Sequence, residues 1–303
     1  MDNTVKSLKK LESFDLSKYP YKEIKELITE IRSTVGIVMT LHPGKTILRA
    51  RPNYGGERFH KVGDIGYKPA KSNKTYQRAS TPYNTMFYGS TVSETATEEE
   101  LQMARIIGVF EAIPFINDPE SEGEQIITYS KWTIVKDIPL VSIIHHKDFK
   151  RENSYAKEQR EYYERFLAGH PKHVSDKARL VNDFFANQFA KYLTPNDYDY
   201  MLSAIYTELA TENGFAGVFY PSVRTGGEGF NVAIHPSYID NKYIIPEVVG
   251  ECTMYKRGKN SIVDNDTIVE LSEGQEEFEL KQVLPEFHFG REKILKELYP
   301  EKH

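Results

Sequence analysis

The chain has 303 residues, 39% of them hydrophobic and 27% charged, with a formal net charge of −5. That balance excludes a disordered chain and supplies no basic excess for nucleic-acid binding, so no nucleic-acid partner is expected. The single cysteine, Cys252, excludes an internal disulfide framework and a cysteine-built metal cage.

The amino terminus lacks the apolar core of a signal peptide. The most apolar run, Ile106 to Ile116, is interrupted by Glu111 and Pro114, so a cytoplasmic location with no membrane partner is expected. Ile24, Leu27, Ile28, Ile31 and Val35 recur at helical spacing and predict an amphipathic helix over Tyr21 to Thr34. Pro43-Gly44 reads as a turn into a strand, Thr46 to Arg51, on which Arg49 and Arg51 share a face because side chains alternate. Residues 52–80 read as a long loop, Thr85 to Tyr88 as a strand, and Ser93 as the cap of a helix with acidic residues near its start, Glu98 and Glu99 among them.

Gln125 to Ile144 has strand character in two runs broken by Asp137 and Pro139. Helices are expected over Tyr155 to Leu167, Ala178 to Leu193 and Tyr198 to Ala210, the last two carrying apolar stripes that suit core packing. Next come a buried strand, Ala216 to Tyr220, a break at Pro221-Ser222, a glycine-rich turn, and a second strand, Phe230 to His235. Beyond Pro236 short β-like runs (Ile244 to Val249, Thr253 to Lys256, Thr267 to Leu271, Glu277 to Leu280) lead to a last helix, Phe289 to Leu298.

Several familiar chemistries fail on spacing. Seven residues separate Gly36 from Gly44 where a phosphate-binding loop has four. Gly226-Gly227-Glu228-Gly229 lacks the dinucleotide fingerprint and precedes a strand, and Ser222 is not framed as a hydrolase elbow. Neighbouring His145 and His146 point to opposite strand faces, and no metal site is expected. A strand ending in a small hydroxyl residue beside an arginine and a glycine-rich turn suits an anion, although glycines between apolar runs also serve simply to turn the chain.

Tyr220-Pro-Ser222-Val-Arg224, followed by Gly227-Glu-Gly229-Phe-Asn231-Val-Ala, resembles the last conserved block of the RES-domain family. Phe87-Tyr88-Gly89-Ser90 and Ala96-Thr-Glu98-Glu99 resemble its tyrosine strand and glutamate block. The resemblance covers roughly residues 46–240. It maps the family's arginines to Arg49 and Arg78, its glutamate to Glu99 and its serine to Ser222. It departs at Thr97 and Glu98, which replace apolar and small residues.

What the resemblance implies is an α+β, ADP-ribosyltransferase-like split mixed β-sheet with flanking helices around an NAD cleft. Residues 1–45 would form an N-terminal helical extension, 46–240 the NAD-binding catalytic domain, and 241–303 a β-rich C-terminal extension packed on the core. The implied activity is that of an NAD+-degrading toxin of a toxin-antitoxin pair, cleaving the nicotinamide-ribose bond by hydrolysis or phosphorolysis. Glu99, Arg49 and Ser222 would be catalytic. Arg49, Arg51, Arg78, Tyr88, Ser222 and Asn231 would bind NAD+, and a cognate antitoxin protein would cover the cleft. ADP-ribosyl transfer to a protein and a non-catalytic nucleotide-binding module are the alternatives.

Overall fold

The computed structural model describes residues 2–31, 36–91, 120–144, 154–191, 196–222 and 229–299. In chain order the regular elements are α1 (Asp2–Glu12), α2 (Tyr21–Ile31), β1 (Val38–Leu41), β2 (Thr46–Pro52), α3 (Val62–Ile65), β3 (Phe87–Thr91), β4 (Glu122–Ile134) and β5 (Ile138–Ser142). They continue with α4 (Ser154–Ala168), α5 (Lys172–Phe189), α6 (Met201–Glu212), β6 (Gly217–Pro221), β7 (Phe230–Ile234), α7 (Pro236–Asp240), β8 (Ile244–Arg257), β9 (Asn260–Glu270), β10 (Lys281–Gln282) and α8 (Arg291–Leu298). The fold is α+β with both parallel and antiparallel strand pairs, as expected. None of the described helices is long and apolar enough to cross a membrane.

The chain forms two compact units, the first built from Met1–His42, Tyr67–Tyr88 and Lys136–Tyr243. Its strands run in the order β1-β5-β6-β7, antiparallel except for the parallel pair β5/β6. A parallel pair needs a crossover, and α4, α5 and α6 supply it. The amphipathic stripe of α2 is buried as its spacing requires: Ile24, Leu27, Ile28 and Ile31 pack with Leu8 and Leu11 of α1, Phe184 and Phe185 of α5, and Met201, Leu202 and Ile205 of α6. Each such side chain contributes on the order of 1.5–3 kcal/mol by leaving water.

Two local expectations shift. Pro139 lies inside β5, opposite Thr40 of β1, and its carbonyl accepts from Ala216 at 2.8 Å, so the break falls at 135–137 instead. Helix α5 starts at Lys172, ahead of its apolar stripe, because Pro171 precedes the first turn and the Ser175 hydroxyl donates to Leu167 O at 2.7 Å, joining that turn to the end of α4. At Gly217, φ is 146° and an added Cβ would overlap the carbonyl oxygen of Ala233. Only glycine lets β6 and β7 approach this closely.

The second unit comprises Pro43–Gly66, Gly89–Val135 and Ile244–His303. Here β2 pairs antiparallel with β4, β4 with β8, β8 with β9 and β9 with β10. The first two short runs expected after residue 241, Ile244 to Val249 and Thr253 to Lys256, are one 14-residue strand, β8, turning at Gly258-Lys259 into β9, which holds most of the third. Gly258 (φ 56°) supplies the positive φ that a two-residue hairpin turn needs. Pro246 is tolerated in β8 because it lies opposite Trp132, where the register with β4 shifts. The 277–280 run is not a strand, although Glu277 bridges Lys61. Buried Asp264 ties down the chain before α8 by accepting from Phe289 N at 2.7 Å and Gly290 N at 2.9 Å.

Candidate functional site

In the first unit, Ser222 follows the last residue of β6 and is fully buried, its N–H donating to Gly229 O at 2.7 Å. Across the pair, Asn231 of β7 faces Tyr220 and is also buried. Val218, Tyr220 and Ala233 belong to one apolar cluster, and Tyr88 packs against it. Cross-strand partners share a sheet face, so Asn231 lies on the face that Tyr88 covers.

The Tyr88 hydroxyl accepts from Ala79 N at 3.1 Å and bonds the Ser80 hydroxyl at 2.8 Å. Immediately before, Arg78 donates to Phe189 O and, at 2.9 Å, to Lys191 O, with its guanidinium 5.2 Å from the Tyr200 ring centre. A cation at the C-terminal end of α5 complements the helix dipole and satisfies carbonyls that the helix leaves open. Arg78 thus anchors the 78–81 loop to α5, and that loop in turn holds Tyr88.

In the second unit, Arg49 and Arg51 lie two residues apart on β2, with Arg49 opposite Ser130 of β4. Arg51 donates to Asp64 O at 2.6 Å and to Glu57 at 3.3 Å, and its guanidinium lies 4.1 Å from the Phe59 ring centre. These contacts fasten β2 to the loop that follows it. Glu99 and Glu98 lie outside the described residues. The structure therefore brings Arg78, Tyr88, Ser222 and Asn231 into one unit and sets Arg49 and Arg51 in the other.

Carboxyls of unusual acidity occur in the second unit as well. Burial pushes the Glu251 carboxyl above its ordinary value against the pull of Arg58 and an Asn53 hydrogen bond. Burial likewise raises Asp266, which accepts from the Thr253 hydroxyl at 2.6 Å. Asp264, Asp266 and His288 bring ligand atoms within 4.8 Å of one another. The backbone donors on Asp264 and the Thr253 hydroxyl on Asp266 account for this cluster as an anchor of the chain.

A concavity of the first unit was not legible in the sequence. A cavity of about 820 Å³ is lined by Tyr21, Tyr76, Tyr83, Phe215 and Tyr238, with Thr81, Glu208, Glu212 and His235. Glu208 is central: Tyr21 and Lys25 both donate to Oε1, Lys25 at 2.6 Å, and Thr81 donates to Oε2 at 2.5 Å. Burial alone would raise this carboxyl, but hydrogen bonds from Lys25, Thr81 and Tyr21 outweigh it and hold Glu208 below its ordinary value. Lys25 also pairs with Glu212 at 2.6 Å. Burial pushes His235 below its ordinary value, against the Asp240 charge, while its Nδ1 accepts from Ser237 N at 3.3 Å to cap α7.

The one sequence signal for this cavity was Glu208 itself, an acid between Ile205 and Leu209 on a helix that is otherwise mostly buried. Comparison of the chain with protein-family models, with curated proteins and with solved structures returns no match.

Proposed function

We propose that the chain is a cytoplasmic NAD+-consuming enzyme that breaks the bond between C1′ of the nicotinamide ribose and the nicotinamide nitrogen. The observation that carries this reading is the assembly of Tyr88, Ser222 and Asn231 around strands β6 and β7, the three being matched by the RES-domain resemblance. Two buried polar side chains beside an aromatic ring are what a ribose and a nicotinamide amide require, since hydroxyls and amides bond them while a ring packs on the apolar surface.

The cationic nicotinamide leaves as a neutral molecule with the electron pair of the broken bond, so no general acid is needed. The residues must stabilise an oxocarbenium-like ribose until water, or phosphate, attacks C1′. Water yields ADP-ribose, nicotinamide and a proton; phosphate yields the 1-phosphate ester of ADP-ribose and nicotinamide. Ser222, Tyr88 and Asn231 are assigned the orientation of the ribose, and the charge stabilisation is given to Glu99 on the RES-domain resemblance alone. Arg78, also matched by the resemblance, is assigned to NAD+ beside Tyr88, whose loop it anchors to α5. An NAD+-destroying activity harms the cell that makes it, so the reading includes an antitoxin protein that blocks the site.

The test is incubation of the pure chain with NAD+, with and without phosphate, and chromatography of the products. Free nicotinamide is expected, together with a loss of turnover on the order of 100-fold in Glu99→Gln at little cost in NAD+ affinity. The adjacent Glu98→Gln should be near-silent, because the RES-domain resemblance assigns the charge-stabilising role to Glu99; loss of turnover in Glu98→Gln with Glu99→Gln near normal shifts that assignment by one residue. Intact NAD+ after incubation with the folded protein overturns the reading. Radiolabel carried onto a protein acceptor replaces hydrolysis with ADP-ribosyl transfer.

A further inference from the structure

We propose that the tyrosine-lined cavity of the first unit is a binding site for a small organic cation of the methylated-ammonium type. The site is separate from the residues assigned to NAD+, since Arg78, Tyr88, Ser222 and Asn231 are not among those that line it. Its volume of about 820 Å³ falls in the range of sites that take small molecules.

The lining decides the charge of the ligand. Glu208 and Glu212 border the cavity, and no lysine or arginine is among the described residues that do. Lys25 pairs with both carboxylates, which fixes them in place and leaves one negative charge uncompensated. Glu208 stays ionised because the hydrogen bonds it accepts outweigh its burial, and His235 is kept from adding a positive charge by its own burial. An anion would be repelled here, and a neutral apolar ligand would desolvate two carboxylates without compensating them.

The rings decide the type of cation. Tyr21, Tyr76, Tyr83, Phe215 and Tyr238 come from four separate stretches of the unit and meet at one cavity. Aromatic faces attract a positive charge through their quadrupole, and most strongly a diffuse, weakly hydrated one such as a methylated ammonium. Tyr83 is 66% exposed, on backbone that its N–H ties to Asn73 O at 2.7 Å. A large ring kept exposed in this way is available to cover a ligand from the solvent side.

The probes are choline and its neutral carbon isostere, 3,3-dimethyl-1-butanol, followed by ligand-observed NMR and calorimetry on the full chain. Choline should show upfield-shifted N-methyl resonances and the isostere none. Tyr83→Ala should weaken choline binding about five- to thirty-fold, Tyr83→Phe should restore it, and Glu212→Gln should weaken it about threefold or more. Tyr83 and Glu212 lie at the surface, so these variants keep the fold, which circular dichroism checks. Equal binding of choline and its isostere, absence of choline binding at 10-millimolar order (~10 mM, an affinity near −3 kcal/mol), or indifference to both Tyr83→Ala and Glu212→Gln overturns the proposal.

Discussion

Replacing Gly217 with alanine tests the tightest strand contact of the first unit. Its φ of 146° is one that L residues rarely adopt, and an added Cβ would overlap the Ala233 carbonyl oxygen and come within 3.0 Å of both the Ala233 carbonyl carbon and the Met86 methyl. The Met86 methyl can swing away; the carbonyl cannot, because Gly217 and Ile234 are register partners in β6 and β7. Backbone strain of roughly 1–2 kcal/mol and overpacking of roughly 1–3 kcal/mol add to about 2–5 kcal/mol. For a chain of this size that is a fall in Tm of roughly 4–20 °C. Two controls separate the terms. Gly214 has positive φ (88°) but open space around it, so Gly214→Ala should carry the strain alone, about 1–2 kcal/mol. Gly63 has open space and ordinary φ, so Gly63→Ala should be neutral or stabilising by a few tenths, ~0.4 kcal/mol. Urea unfolding followed by circular dichroism reads all three. A Gly217→Ala protein within about 1 kcal/mol of the parent, or one no worse than Gly214→Ala, would refute the reasoning.

Glu208→Gln should cost about 2–4 kcal/mol, because the side chain is only 11% exposed and accepts from three donors. Its folded pKa is depressed, so this contribution is present above the ordinary glutamate value of 4.5 and is lost as pH falls through the lower folded value. The stability gap between parent and variant should close at low pH; an undiminished gap at strongly acidic pH counts against the network. The Lys25 contribution has the opposite sign of dependence: its folded pKa is raised, so it is present below 10.5 and lost as pH rises through the folded value. NMR titration should place His235 below its ordinary 6.5, and a value at or above that contradicts its burial. Asp264→Asn weakens one or both backbone bonds at residues 289 and 290, with an expected cost of about 1–3 kcal/mol and faster proteolysis near α8. Unchanged protease resistance there would remove the anchoring role of Asp264.

Local chemistry was the legible part of this chain. The stripe of Ile24, Leu27, Ile28 and Ile31 marks its helix because burial of one face is decided at 3.6-residue spacing, and β6 and β7 stand out because alternation and glycine punctuation act over a few residues. The single strand β8 was not legible, since its continuity through Pro246 depends on a register shift against β4 more than a hundred residues away. For the same reason the partners of Arg78, the carbonyls of Phe189 and Lys191, escaped the sequence, since they too lie more than a hundred residues away. The aromatic cavity is the extreme case, assembled from side chains that no spacing rule connects.

The lone thiol gives this chain a built-in clock. Cys252 is 2% exposed, packed with Ile127 and Met254 beneath the β4/β8 pairing. A thiol reagent can reach it only when that packing opens. The labelling rate, compared with that of a small exposed thiol, therefore reads the opening free energy of the second unit under native conditions, without denaturant. A cysteine introduced at an exposed position such as Tyr83 would label first, and a dye could be placed beside the aromatic cavity with no need to remove the native cysteine.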